Sequence, residues 1–257
     1  MLHHPIIEVV PDSSTLADAA AGEFVRMADE ALKTESRFTV ALAGGSTPLQ
    51  MYSRLATVHV DWERVHFFWG DERCVPPSNP DSNFHMADRA LLSSVLIPIG
   101  NIHRIPGELP VEEAAQKYED VLRNFFGSGS PPRFNLVLLG LGSDGHTASL
   151  FPGTPAVKEK RRWVAGVRHA VPPPPLVDRV TLTLPVLNTA AYVLFLVSGE
   201  EKAGRLAQML YGPIQPSLFP AQAVKPVFGT VRWLVDQAAA ANLPPQQHLQ
   251  EQKPGIV

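Results

Sequence analysis

The chain has 257 residues, of which 45% are hydrophobic and 18% are charged, and its formal net charge is −3. This length allows one large α/β domain with a substantial core, and the composition excludes wholesale disorder. Nucleic acid is excluded as an expected partner, because phosphate-backbone binding requires a dense basic face and the longest basic cluster is the short Lys158–Arg162 segment.

Helical and extended patterns alternate along most of the chain. An apolar stripe predicts an amphipathic helix over residues 15–33 with Thr15 as its N-cap, and a second stripe runs from Ala114 to Phe125. Short apolar runs predict strands that are buried on both faces, at residues 38–43, 65–69, 135–139 and 191–197. Strands separated by helices predict an α/β fold with an open, mostly parallel twisted sheet and helices on both faces.

The domain organisation follows from the composition. We expect residues 1–241 to form a single domain and residues 242–257, which turn to Gln and Pro, to form a flexible C-terminal tail. The segment Pro172–Pro175 is a stiff loop that is too short to link two domains.

The first polar cluster follows the first buried strand and comprises Gly44, Gly45, Ser46, Thr47 and Pro48. Glycines let the backbone approach a ligand, Thr47 can cap the following helix, and Pro48 suits its first position. The free amides of this turn and the two hydroxyls predict an anion site. No Lys follows the glycines, so the segment is not a Walker loop. A capped turn without a ligand is the alternative.

The second cluster, Asp71-Glu72-Arg73, comes directly after an aromatic strand. Charged residues are costly at such a position unless they face a polar cleft. Arg73 is able to bind phosphate or a developing oxyanion, and we expect Asp71 or Glu72 to orient it. A surface ion pair beside a turn is the alternative.

The third cluster lies after the strand at 135–139 and contains the pattern Gly-x-Gly-x-x-Gly, which raises a dinucleotide-binding interpretation. Pro152 lies seven residues after the last glycine and cuts short the long helix which that fold requires. A tight turn that presents Asp144 and His146 fits better. We expect His146 in the first turn of a short helix, where the helix dipole keeps the imidazole neutral and suited to general-base catalysis. A capping or core histidine is the alternative.

The fourth cluster follows the strand at 191–197. Ser198 and Glu201 resemble a capping box, and Lys202 lies in the first helical turn, where a cation is unfavourable unless an anion binds nearby. Pairing of Lys202 with a neighbouring glutamate is the alternative. Upstream, Arg179 begins a half-polar strand and shares one face with the threonines at 181 and 183.

The cysteine and histidine positions exclude the common metal sites. Cys74 is the single cysteine, so no internal disulfide forms and a reducing compartment is expected. The other histidines considered show no ligand spacing with acids or cysteines: His3, His4, His66, His103 and His169. The first seven residues lack a secretion signal, and no apolar run approaches the roughly 18 residues of a membrane span. We expect a cytoplasmic protein with no membrane partner, either a monomer or a small homo-oligomer.

In their order along the chain, these clusters closely resemble the 6-phosphogluconolactonase family. The resemblance extends over most of residues 38–203 and rests on segments 43–48, 69–76, 80–83, 140–152, 179–190 and 198–203. It implies the sugar-phosphate isomerase and deaminase fold, hydrolysis of 6-phospho-D-glucono-1,5-lactone, and no cofactor. It implies that His146 is the catalytic histidine and that Arg73 lies at the mouth of the site. The family often has a Lys before the strand at 179, where this chain has Arg168.

The expected mechanism separates proton transfer from phosphate binding. His146, oriented by Asp144, activates water, and the 6-phosphate of the lactone binds the Gly44–Thr47 turn. The charged residues that assist are Asp71, Arg73, Arg179 and Lys202. Two other functions stay open. One is a hexosamine-6-phosphate deaminase; such enzymes typically have Asp-Glu-Tyr where this chain has Asp-Glu-Arg. The other is a non-catalytic sugar-phosphate sensor.

Overall fold

The computed structural model describes residues 6–169 and 174–244. Its strands and α-helices, in chain order, are β1 (Ile6–Val10), α1 (Ser13–Leu32), β2 (Phe38–Leu42), α2 (Ser46–Leu55), β3 (Val65–Trp69), β4 (Asp71–Arg73), α3 (Asn83–Ala90), α4 (Val111–Phe126), β5 (Leu136–Leu139), β6 (Val164–Val167), β7 (Arg179–Leu182), α5 (Leu184–Leu187), β8 (Tyr192–Val197), α6 (Ala203–Tyr211) and β9 (Thr230–Asp236). None of these helices is long and apolar enough to cross a membrane.

Six strands form a parallel sheet in the order β1-β9-β8-β5-β2-β3. All five residues of β2 are buried, as expected for a central strand that is covered on both faces. The predicted α/β fold class and the four predicted strands are confirmed, with strand ends that differ from the prediction by one residue.

Aromatic residues pack helices against opposite faces of this sheet. Phe38 of β2 contacts Phe24 of α1 with ring centroids 5.4 Å apart. On the other face, Phe68 of β3 contacts Phe125 of α4 with centroids 5.1 Å apart. Because neighbouring residues of a strand point to opposite faces, the aromatic run of β3 contributes to both layers of the core.

A small antiparallel sheet in the order β4-β7-β6 stands apart from the large one, and the sequence pattern did not predict it. Gly70 joins the two sheets. Its amide donates to the carbonyl of Leu42 in β2, and its carbonyl accepts from the amide of Leu182 in β7, both at 2.8 Å. The chain therefore leaves the parallel sheet at Gly70 and enters the antiparallel sheet one residue later.

Helix α1 begins earlier than predicted. Its N-cap is Asp12, whose carboxylate accepts from the amide of Thr15 at 2.8 Å and from the Thr15 hydroxyl at 2.9 Å. The prediction that Thr15 caps this helix is wrong, because Asp12 supplies an ionised acceptor one turn earlier. Thr15 occupies the third position of the first turn.

One hydrophobic cluster runs through the layers around both sheets. On this basis we propose that the described chain is a single domain. All but the first three residues of the predicted tail, 242–257, lie outside the described residues, as do the first two residues of the predicted loop Pro172–Pro175.

Candidate functional site

A cavity of about 270 Å³ lies at the carboxyl ends of β2, β3 and β5. In an open parallel sheet this edge is where ligands bind. The cavity collects most of the site residues predicted from the sequence, since its lining includes Gly44, Gly45, Asp71, Arg73, His146, Arg179 and Lys202. Asp144, Ser46 and Thr47 do not line it.

His146 and Asp144 form a direct pair. Nδ1 of the imidazole lies 2.5 Å from Oδ1 of Asp144, and the same oxygen accepts from the main-chain amide of His146 at 3.0 Å. Burial raises the pKa of the Asp144 carboxyl, but the hydrogen bonds from His146 outweigh this and hold the pKa below its usual value. An ionised Asp144 fixes the proton on Nδ1, so the neutral ring keeps the Nε2 lone pair for accepting a proton.

The turn that carries His146 differs from the prediction, because no helix follows it. Residues 143–149 form turns, and the amide of Gly142 donates to the carbonyl of His146 at 2.9 Å. The prediction that a helix dipole keeps the imidazole neutral is therefore wrong. The ring lies directly on Gly142, where a Cβ atom would meet Nδ1 at 2.1 Å. Glycine at 142 is required for this approach.

Arg73 lies at the end of β4 and borders the cavity. Its Nη1 donates to the carbonyl of Asp81 at 2.8 Å and to Oδ1 of Asn83 at 2.6 Å. Within the described residues, no carboxylate lies within ion-pair distance of its guanidinium. The prediction that Asp71 or Glu72 orients Arg73 by pairing with it is therefore wrong.

The two acids beside Arg73 have other partners. Asp71 accepts from the hydroxyl of Ser149 at 2.6 Å and remains on the cavity lining. Glu72 is buried and accepts from the amides of Arg73, Asn83 and Phe84 and from the hydroxyl of Ser82. Burial raises the pKa of Glu72, and these hydrogen bonds offset part of the rise. Glu72 therefore stabilises the start of α3.

Arg179 of β7 is the strand partner of Arg73 across the antiparallel pair. The side chain is 5% exposed, donates to the carbonyls of Val177 and Pro175, and borders the cavity. Burial lowers the pKa of Arg179, Asp71 raises it, and the charge of Arg73 lowers it again. Like charges directly opposite in a strand pair are unfavourable, which favours an anionic ligand between them.

Lys202 also borders the cavity and lies in a short 3₁₀ turn that precedes α6. Among the described residues its ammonium group has no carboxylate partner within 4.0 Å. The predicted capping box is wrong, because Ser198 donates to the carboxylate of Asp236, and Asp236 also accepts from the amide of Gly199. Asp236, which is distant in the chain, thus binds Ser198 where Glu201 was expected to do so.

The Gly44–Thr47 turn carries the start of α2. The helix begins at Ser46 with Gly45 at its N-cap, so Thr47 is not the cap and Pro48 is the third helical residue. Within the described part of the chain, the amides of residues 44–47 have no hydrogen-bond acceptor. Free amides at a helix start suit an anion. Gly44 and Gly45 reach the cavity, whereas Ser46 and Thr47 lie beyond its lining.

Three further residues contact the predicted ones. Asn83 binds Arg73, Ser149 binds Asp71, and the ring of Phe151 lies against that of His146 with centroids 4.5 Å apart. All three belong to segments that the sequence singled out, but the sequence alone does not specify their contacts. Arg168 is 75% exposed, pairs with Asp178 at 2.7 Å, and does not line the cavity.

The described residues contain no group of three or more His, Cys, Asp or Glu that could hold a metal ion. His146 and the three cations Arg73, Arg179 and Lys202 border one cavity, and Asp144 contacts His146 from outside its lining. The arrangement suits attack of water on an electrophilic carbon in an anionic small molecule.

The comparisons with known proteins agree with this arrangement. The family model described as "Glucosamine-6-phosphate isomerases/6-phosphogluconolactonase" matches residues 11–233. The 6-phosphogluconolactonase of Nostoc sp. is 41% identical over 92% of this chain and 98% of its own length. That of Mycobacterium leprae is 39% identical over 93% of this chain and 98% of its own length.

Solved structures give the same result. The 6-phosphogluconolactonase of Thermotoga maritima superposes with a TM-score of 0.79 at 35% identity, over 91% of this chain and 100% of the other. That of Trypanosoma cruzi superposes with a TM-score of 0.86 at 31% identity, over 95% of this chain and 98% of the other. A monomeric glucosamine-6-phosphate deaminase, at 21% identity, TM-score 0.77 and coverage of 92% and 99%, shares the fold.

Proposed function

Because the chain belongs to the glucosamine-6-phosphate isomerase and 6-phosphogluconolactonase family, we propose that it hydrolyses 6-phospho-D-glucono-1,5-lactone to 6-phosphogluconate in the pentose phosphate pathway. The observation that carries this proposal is the His146–Asp144 pair, set at the edge of a cavity that three cations line. Such a cavity suits a substrate that has both an anionic group and a carbon open to attack by water.

The phosphate binds on the cationic side. The free amides of the Gly44–Thr47 turn meet the phosphate oxygens, and Arg179 and Lys202 supply charge. Asp71, held by Ser149, gives this wall an acceptor for a substrate hydroxyl. A deeply cationic wall also discriminates against neutral lactones, because they leave the buried Arg179 without its counter-charge.

Hydrolysis follows at His146, which borders the same cavity. Nε2 of neutral His146 removes a proton from water as the water oxygen attacks the lactone carbonyl. Arg73 lies on the same cavity and stabilises the oxyanion that forms on the carbonyl oxygen. The bond between the carbonyl carbon and the ring oxygen then breaks, and His146 returns the proton to the ring oxygen. Asp144 stabilises the transient imidazolium.

Proton release tests this function. The carboxylic acid product ionises at neutral pH, so each turnover releases one proton, which an indicator in weak buffer records. Because the lactone also opens spontaneously, the uncatalysed rate must be subtracted. We expect a rate proportional to protein concentration. If the protein adds nothing to the spontaneous rate but releases ammonia from glucosamine 6-phosphate, the deaminase is correct. Tight binding of 6-phosphogluconate without either reaction would indicate a sensor.

A further inference from the structure

Asn83 is a buried polar residue at the edge of the cavity, and its carboxamide binds Arg73, the carbonyl of Asp71 and, at 3.4 Å, Oδ1 of Asp71. The residue is 1% exposed. Oδ1 accepts from Nη1 of Arg73 at 2.6 Å, and Nδ2 donates to the carbonyl of Asp71 at 2.9 Å. These two contacts fix which way the amide faces, since the carbonyl of Asp71 is able to accept only from the NH₂ group. The Asn83 oxygen is therefore committed to Arg73.

The partners of Arg73 carry no charge, in contrast to those of several other arginines in this protein. Arg54, Arg104 and Arg123 each pair with a carboxylate at 2.7 Å or less. Arg73 instead donates to two uncharged oxygens, those of Asn83 and the Asp81 carbonyl. Its Nε is buried with no acceptor among the described residues. Neutral acceptors direct the guanidinium without compensating its charge, so the full positive charge remains available to a ligand.

Asn83 also contacts the loop that carries the free amides. A Cβ atom on Gly44 would lie 2.0 Å from Oδ1 of Asn83, so the side chain rests directly on the Gly44 backbone. One carboxamide thus touches the Gly44 turn, the Asp71 backbone and the Arg73 guanidinium. Displacement of this group would move the charge of Arg73 relative to the amides on the same wall.

We propose that Asn83 is a positioning residue that directs the Arg73 guanidinium into the cavity while leaving its charge uncompensated. The inference rests on the proposed lactonase function. The proposed role requires a side chain at position 83 that accepts a hydrogen bond and carries no charge. A carboxylate at this position would pair with Arg73 and would lower the attraction of the site for an anionic substrate. Removal of the side chain would instead leave Arg73 without its closest partner.

The variants Asn83→Asp and Asn83→Ala test the two requirements separately. Asn83→Asp keeps the size and the acceptor toward Arg73, but it adds charge and loses the Nδ2 donor to the Asp71 carbonyl. Because Asn83→Ala loses that donor as well, the added charge is read from the difference between the two variants, and we expect the KM for the lactone and the Kd for 6-phosphogluconate to be about tenfold or more higher in Asn83→Asp. Asn83→Ala removes the acceptor, and we expect a fall in kcat/KM of roughly tenfold from loss of Arg73 orientation. The KM and kcat/KM for the lactone and the Kd for 6-phosphogluconate are measured together with the melting temperature of each variant.

A double-mutant cycle with Arg73→Lys separates positioning from a general structural role. If Asn83 acts through Arg73, then Asn83→Ala costs less than about twofold in kcat/KM when Arg73→Lys is already present. Ser82→Ala is the matched control: Ser82 caps the same helix start through the amide of His85 and binds Glu72, but does not contact Arg73. We expect it to lower the melting temperature without raising KM.

The outcomes are distinct. Effects of Asn83→Ala and Arg73→Lys that simply add, or a KM for Asn83→Asp equal to that of the wild type, would overturn the positioning role. Absence of lactonase activity in the wild type would overturn the proposed function instead. In that event, binding of 6-phosphogluconate measured by calorimetry to the wild type and to Asn83→Asp still tests whether a neutral residue is required beside Arg73. Equal affinities there would overturn the inference.

Discussion

Arg73 and Arg179 lie directly opposite each other across the β4–β7 pair, and both border the same cavity. Their mutual repulsion destabilises the ligand-free protein, and an anion between them removes that cost. The site is thus arranged so that ligand binding relieves an unfavourable interaction which the fold holds in place. We expect five outcomes, of which four concern residues of the candidate site and one concerns a histidine pair outside it.

Arg179→Met removes one of the two opposed charges. We expect the Kd for 6-phosphogluconate to rise by about tenfold or more, because the phosphate loses a buried cation. In the wild type, ligand at about 100 times its Kd adds about 2.7 kcal/mol of stability, and thermal unfolding with and without 6-phosphogluconate measures this gain. At the same ligand concentration a tenfold higher Kd leaves about 1.4 kcal/mol, so we expect about half of the gain to disappear in the variant. Arg168→Met changes the net charge equally at an exposed arginine outside the cavity. An equal loss of ligand-induced stability in Arg179→Met and Arg168→Met would contradict a local role for Arg179.

His146→Ala removes the general base. We expect kcat to fall by roughly 10²–10⁴, the usual contribution of general acid–base catalysis, while the Kd for 6-phosphogluconate stays close to that of the wild type. Stopped-flow proton release, corrected for spontaneous opening of the lactone, measures the first quantity and calorimetry the second. Turnover close to that of the wild type would exclude His146 as the base.

Asp144→Asn keeps the shape of the orienting residue but removes its charge. We expect kcat to fall by roughly 10²–10⁴, because the ring loses the fixed Nδ1 proton and the imidazolium loses its counter-charge. The pH profile of kcat provides an independent readout. If Asp144 were only a turn residue, the variant would melt at a lower temperature and keep its kcat.

Gly142→Ala introduces a methyl group 2.1 Å from Nδ1 of His146, closer than any real contact. The imidazole must move away from Asp144, so we expect kcat to fall by roughly 10²-fold, in line with small misplacements of catalytic groups. Gly22→Ala is the control, because a Cβ there meets nothing within 4 Å. Helix propensity predicts that this control gains about 0.5–1 kcal/mol of stability with normal kinetics. Normal kinetics in Gly142→Ala would contradict the observed ring position.

A pair of histidines on the far side of β3 makes stability depend on pH. Nδ1 of His66 lies 3.2 Å from Nε2 of His103, and the ring planes differ by 18°. Burial, together with the charges of His66 and Arg37, lowers the pKa of His103 to about 4. Burial and Arg37 also lower the pKa of His66. Between pH 6.5 and about 4 the unfolded chain binds more protons, so stability is lost as the pH falls through this range.

His103→Gln tests this pair through urea unfolding at several pH values. After allowance for partial exposure, we expect the variant to lose about 1–2 kcal/mol less stability than the wild type between pH 6.5 and 4. His59→Gln, at an exposed histidine outside the pair, is the control. A pH dependence in His103→Gln as steep as that of the wild type would show that other groups control the acid transition.

The features that could be predicted from the sequence are those that depend on local pattern. The almost wholly apolar run of β2 and the glycine turn before His146 carry their own signals, and the structure places the end of β2 and this turn at the expected edge of the sheet. The pairing of Asp144 with His146 follows from the two residues being only two positions apart around a turn.

The features that could not be predicted depend on partners distant in the chain. Ser198 and Glu201 have the spacing of a capping box, but Asp236, 38 residues from Ser198, takes the hydroxyl instead. The orientation of Arg73 was expected from its neighbours Asp71 and Glu72, yet Asn83 provides it from the start of α3. Local spacing does not reveal which acceptor arrives from another element.

Gly70 has a consequence for how this fold diversifies. His146, the proposed base, follows β5 of the large sheet, whereas Arg73 and Arg179 belong to the small one, and Gly70 bonds to both sheets within a single residue. Rotation of one sheet against the other at this joint would shift Arg73 and Arg179 together while His146 and Lys202 stay in place. Selection acting at this joint would therefore change how two cations are placed around a bound anion without moving the strand that precedes the proton-transfer group.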